Sequence, residues 1–99
     1  MASTHTYQQD PRNADIKINI NDELFHRDQA VISVFDSGFI LGDGIWEGLR
    51  MHNGVIPFLD KHMKRLWEGA KALDLDLGLE KDQLKRRLYG TLDANNMDD

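Results

Sequence analysis

The feature that most constrains this chain is residues 31–50, VISVFDSGFILGDGIWEGLR, in which Gly38, Gly42, Gly44 and Gly48 fall within eleven positions. Glycine costs backbone entropy and is kept where φ must be positive or where another group must come close to the main chain. A segment that only had to fill a core would spend side chains here. The stretch enters apolar, breaks into a loop holding Asp36 and Asp43, and leaves as an alternating segment. It marks a site rather than packing.

The alternation after the loop predicts a strand over residues 45–51. Period two puts Ile45, Glu47, Leu49 and Met51 on one face and Trp46, Gly48, Arg50 and His52 on the other. The first face suits a core, with Glu47 as its exception, and the second offers an aromatic, a gap and a cation. Asn53-Gly54 predicts a type I′ hairpin turn, both of whose central residues need positive φ. Val55 to Phe58 would return from it, with Pro57 placing that strand at an edge or ending it. Upstream, Ile16, Ile18 and Ile20 alternate with polar residues, and Asn21-Asp22 reads as a turn into a second strand over residues 23–27. Val31 to Phe35 reads as a third short strand or an irregular buried segment, and Ile40-Leu41 are expected to tuck inward beside one possible helical turn.

Two helices follow. Asp60 reads as an N-cap, and Leu59, Met63, Leu66, Trp67, Ala70 and Leu73 recur at helical spacing, with Trp67 read as core. Gly78 closes that region. A second helix starts near Glu80, with Leu84, Leu88 and Leu92 four apart. Strands first and helices after predict an α+β domain, a small antiparallel sheet with two helices packed on one side, over residues 16–99. Residues 1–15 read as a flexible lead-in. The acidic, turn-forming run at residues 95–99 resembles the link to a further element.

Composition excludes several classes. A net charge of −5 without a basic stripe argues against a nucleic-acid partner. No apolar run approaches a membrane span, and no leader pattern is visible. Zero cysteines remove disulfides and thiolate metal sites, and the expected location is the cytoplasm. His5, His26, His52 and His62 lack ligand spacing, so no metal is expected.

The glycine loop fails the simple phosphate tests. Gly42-Asp43-Gly44 opens like a dinucleotide fingerprint, but Glu47 stands at the third glycine position and a strand pattern follows; there is no Gly-Lys-Ser/Thr. Asp36 and Asp43 read as loop aspartates bonding their own backbone rather than as an acid–base pair. On the first long helix, at about 100° per residue, His62, Arg65, Gly69 and Ala72 form a flank beside the apolar stripe. A guanidinium there suits phosphate or carboxylate, and Gly69 and Ala72 leave room for a close neighbour. Spacing alone favours the plainer reading of Arg65, a surface cation lying along its helix.

Several linked motifs together carry a family resemblance over residues 16–92. They are Ser33-Val34-Phe35-Asp36-x-Gly38-Phe39, then Leu41-Gly42-Asp43-Gly44-Ile45-Trp46-Glu47-Gly48-Leu49-Arg50, then Asn53-Gly54, then Leu59-x-x-His62-Met63-x-Arg65-Leu66. In this order and spacing the chain resembles the N-terminal domain of the class IV (fold type IV) pyridoxal-phosphate aminotransferases, which include branched-chain and D-amino-acid aminotransferases and aminodeoxychorismate lyase. The resemblance implies that Arg65 binds the phosphate of pyridoxal 5'-phosphate, and that Trp46 and Gly48 line the substrate pocket, with Arg50 near a substrate carboxylate. It implies transfer of an amino group from an amino acid or amine to a 2-oxo acid, by a homodimer.

The departures are informative. Glu-Gly-Leu-Arg is closer to the branched-chain type, Gly-Asp-Gly to the D-amino-acid and lyase types, and Trp46 stands where relatives usually carry Phe or Tyr. The family's catalytic lysine lies in a second domain, and none of Lys17, Lys61, Lys64, Lys71, Lys81 or Lys85 falls in a matching motif. No catalytic residue is therefore expected in this chain, which reads as one domain of a two-domain enzyme, inactive alone. Two alternatives stand beside this reading: a lyase of the aminodeoxychorismate type using the same cofactor, and a stand-alone, non-enzymatic interaction domain.

Overall fold

The computed structural model describes residues 10–99. Most of the expected lead-in, residues 1–9, lies outside the described residues. The chain is α+β, and it divides into two compact units, one ending at Ala30 and one starting at Val31.

The first unit is an antiparallel hairpin of β1 (Lys17–Ile20) and β2 (Glu23–His26). Its register pairs Ile18 with Phe25 and Asn19 with Leu24. The predicted Asn21-Asp22 turn forms with φ of 53° and 68°. Both residue types tolerate the left-handed region, and the Asn19 side-chain oxygen accepts from the Asp22 N–H at 2.8 Å. Ahead of β1, Pro11–Asn13 makes one 3-10 turn capped by the Asp10 carboxylate. The Arg27 guanidinium donates to the Asn13 carbonyl at 2.7 Å, tying that turn to the residues after β2.

The second unit carries α1 (Ser37–Ile40), α2 (Leu59–Ala72) and α3 (Lys81–Ala94). The one helical turn foreseen in the glycine loop is α1, and Asp36 caps it by accepting from the Gly38 N–H at 2.8 Å. That is the local backbone role expected of this aspartate. α3 begins where the sequence placed it, behind a capping box of Glu80 and Gln83. Gly78 takes φ of +71° between the two helices.

Several local expectations are corrected. Residues 45–51 form no strand ladder, and Val55 contributes only an isolated bridge to His52. Pro57 withholds an N–H, and Phe58 turns left-handed at φ 59°, so the return from the hairpin ends at once. The Asn53-Gly54 turn itself forms as predicted, with φ of 48° and 79°. Asp60 is not the N-cap of α2. Phe58 is, without a side-chain cap bond, and Asp60 sits in the first turn with its carboxylate on Lys85 of α3. Val31 to Phe35 is irregular and exposed rather than buried, and Ile40 and Leu41 also face outward. Ser33 and Asp36 divert this stretch into local turns: the Ser33 hydroxyl oxygen accepts from the Phe35 N–H and the Ser33 carbonyl from the Asp36 N–H. Trp67 is half-buried rather than core.

Among the described residues the buried apolar core is Ile56, Met63 and Ala70. Met63 and Ala70 are two turns apart on one face of α2, as the apolar stripe requires. α3 is tied in by the Tyr89 hydroxyl, which accepts from the Ile56 N–H at 3.2 Å. The end of the chain closes on the hairpin turn: the Asp98 carbonyl accepts from the Gly54 N–H at 2.7 Å, and the Asp99 carboxylate lies 3.1 Å from His52 Nδ1.

Candidate functional site: the 45–51 segment on helix α2

The period-two reading of residues 45–51 survives without a ladder. Ile45, Glu47, Leu49 and Met51 are half-buried while Trp46, Gly48, Arg50 and His52 are exposed. What replaces a neighbouring strand is the flank of α2. A Cβ built on Gly69 would stand 3.2 Å from Ile45 Cγ2, so the missing side chain is what lets Ile45 settle there. Two residues further on, Glu47 meets His62 and Arg65. Two extended residues advance about 7 Å and four helical residues about 6 Å, so the segment runs antiparallel along α2. The neighbour for which Gly69 leaves room is this segment.

Glu47 is the best-covered polar side chain of the site, 11% exposed. Its Oε2 lies 3.0 Å from His62 Nδ1, and its Oε1 forms an ion pair with Arg65 Nε at 3.3 Å. A carboxylate can only accept, so the His62 proton sits on Nδ1. Arg65 itself is 73% exposed. Its Nε edge faces inward to Glu47, and its terminal nitrogens make no other ion pair among the described residues. An outward-facing guanidinium fork with its inner edge held fits a phosphate, which takes two parallel N–H donors.

Trp46, Gly48 and Arg50 stand on the other face of the segment. Trp46 is 86% exposed, and its ring folds back over Gly48: a Cβ there would touch the Trp46 ring at 3.6 Å. The structure thus brings Trp46 to Gly48, and Arg65 to Glu47, on opposite faces of one extended stretch. Arg50 is exposed beside them. Reasoning from the sequence placed neither Glu47 nor His62 in the site. The signal was present: a lone carboxylate in an apolar alternation demands a partner, because burying it unpaired costs several kcal/mol.

The remaining titratable contacts lie elsewhere. The Lys85 ammonium, hydrogen-bonded to Asp60, holds that carboxyl below its ordinary range, and Asp60 in turn raises Lys85. Among the described residues no group of three His, Asp or Glu side chains could hold a metal ion, and no helix is long and apolar enough to cross a membrane.

Comparison with known proteins identifies the scaffold. The profile of the family described as "Amino-transferase class IV" matches residues 44–99, which include both the alternating segment and α2. Branched-chain-amino-acid aminotransferase-like protein 1 of Arabidopsis thaliana is 40% identical over 89 residues, 90% of this chain and 16% of that protein. A putative branched-chain-amino-acid aminotransferase of Methanocaldococcus jannaschii is 38% identical over 84 residues, 85% of this chain and 29% of its own length. A D-alanine aminotransferase of Bacillus licheniformis is 32% identical over 84 residues, 85% of this chain and 30% of its own. The chain thus spans less than a third of each of these relatives. With a family profile covering more than half of it, and with the segment and helix that build the site inside that match, the chain belongs to the class IV aminotransferases.

Proposed function

We propose that this chain is the N-terminal part of a pyridoxal-phosphate-dependent aminotransferase, in which it anchors the cofactor and shapes the substrate pocket. The observation that carries the reading is the outward-facing guanidinium of Arg65, 73% exposed and braced by Glu47, within the family-matched region. Arg65 binds the cofactor phosphate through its terminal nitrogens. Trp46 walls an apolar substrate side chain, Gly48 leaves clearance beside it, and Arg50 faces a substrate carboxylate. When bound, the cofactor supplies the electron sink for proton loss at the carbon next to nitrogen and carries the amino group onward to a 2-oxo acid.

The lysines of this chain stand outside the site. We assign the lysine that binds the cofactor covalently to a second domain, an assignment supported by the much greater length of the relatives. The working enzyme is a homodimer in this reading, and these residues alone are inactive. The segment Glu47-Gly48-Leu49-Arg50 favours transamination over the lyase chemistry of the same family.

The test is cofactor retention by the full polypeptide. Arg65→Ala is expected to weaken pyridoxal 5'-phosphate binding about 10- to 100-fold, the value of one or two charge-assisted hydrogen bonds. Lys64→Ala, one residue away on the solvent side, leaves binding unchanged. Equal losses in the two variants would make Arg65 an ordinary surface cation.

A further inference from the structure

Glu47 is a poor choice for a purely structural residue. It occupies the apolar side of residues 45–51, where Ile45, Leu49 and Met51 are half-buried, and an aliphatic side chain would pack there without a desolvation cost. Its ion pair with Arg65 adds little to stability, since Arg65 is mostly in water and such pairs are screened. What the arrangement does restrict is geometry. One carboxylate oxygen meets His62 at 3.0 Å and the other meets Arg65 at 3.3 Å, so two residues one turn apart on α2 clamp Glu47 from both sides.

We propose that Glu47, locked by His62, is the positioning residue for the anion-binding face of Arg65: it takes the Nε edge and leaves the two terminal nitrogens aimed outward at a phosphate. The proposal rests on Arg65 being the phosphate ligand. A long arginine side chain in free solvent must lose its rotamer freedom when it binds, a cost equivalent to about threefold to tenfold in affinity. Glu47 meets that cost in advance. It does so against its own charge, which repels the phosphate. Removing Glu47 therefore distinguishes the two effects by sign: loss of orientation weakens phosphate binding, whereas relief of repulsion alone tightens it.

The experiment measures dissociation constants of the full apo-polypeptide for pyridoxal 5'-phosphate and for pyridoxal, which lacks the phosphate. Their ratio isolates the phosphate contribution from the rest of the ring pocket and needs no turnover. Glu47→Leu is expected to lower the phosphate advantage by up to about tenfold, less whatever the relief of repulsion returns, and to leave pyridoxal binding unchanged. Glu47→Gln keeps the size but removes the charge that pairs with Arg65, so it is expected to lose part of the same advantage; it carries the test if the leucine variant fails to fold. In an Arg65→Ala background neither substitution changes the ratio further. A ratio that is unchanged or raised, or equal losses for both ligands, overturns the positioning role. If Arg65→Ala itself leaves the ratio at the wild-type value, the phosphate assignment fails first, and that result is distinct from a failure confined to Glu47.

Discussion

Gly69 shows how one absent side chain sets the geometry of a site. Its bare Cα admits Ile45, and the approach of Ile45 delivers Glu47 to His62 and Arg65 two residues later. Alanine at this position gains about 1 kcal/mol of helix propensity. It also forces Ile45 to give by a few tenths of an ångström, so the net change in stability is expected to be near zero. Leucine is a different case. Gly69→Leu is expected to cost about 1–3 kcal/mol through overpacking, read by urea denaturation, and to part Glu47 from α2, visible as a changed His62 ring resonance in NMR. An unchanged His62 resonance in a destabilised Gly69→Leu variant would detach the packing at Ile45 from the geometry at Glu47. Periodicity in the sequence placed Gly69, Arg65 and His62 on one flank. It did not reveal which segment lies against that flank.

At the scale of elements, α2 and α3 are joined outside the core by Asp60 and Lys85. The depressed Asp60 pKa makes its contribution to stability present above the ordinary carboxylate pKa and lost as pH falls through the depressed value. The raised Lys85 pKa makes its contribution present below the ordinary lysine pKa and lost as pH rises through the raised value. Asp60→Asn is therefore expected to lower the Tm modestly near neutral pH. The gap from wild type closes at acid pH below the Asp60 transition and again at strongly alkaline pH above that of Lys85. High salt narrows it, because Asp60 is exposed and Lys85 only half-buried. Thermal melts across pH provide the check, and a gap independent of pH would mean that the aspartate acts through something other than this pair. An aspartate ahead of an apolar stripe reads as a cap from the sequence. Its actual use depended on where α3 lies, a long-range fact invisible to local pattern.

At the scale of the whole molecule, the described residues bury few large side chains, while Val31, Ile32, Val34, Phe35, Phe39, Ile40, Leu41 and Trp46 are exposed along one stretch. Isolated apolar residues on a surface are ordinary, and a run this dense along the chain is expected to be covered by a further surface. The chain by itself is expected to bind a fluorescent apolar dye, and Phe35→Ser with Phe39→Ser to reduce that signal by a large fraction without lowering Tm. In a longer polypeptide of the relatives' length the same stretch is expected to be protected from the dye. Equal dye binding by both forms would mean that the run stays open to solvent in that longer polypeptide.

The sequence by itself determined what depends on neighbours along the chain. This covers the two Asn-containing turns with positive φ, the two long helices, the cap made by Asp36, and the alternation from Ile45 to His52. Backbone sterics and side-chain period operate within a few residues, so they are legible in one dimension. The linked motifs also carried family membership. Tertiary structure decided the rest: the alternating segment lies along a helix rather than in a sheet, Glu47 joins His62 to Arg65, and Trp46 and Arg65 occupy opposite faces of that segment. These outcomes turn on which surfaces meet, and a half-buried carboxylate announces only that it needs a partner, not which residue will supply it.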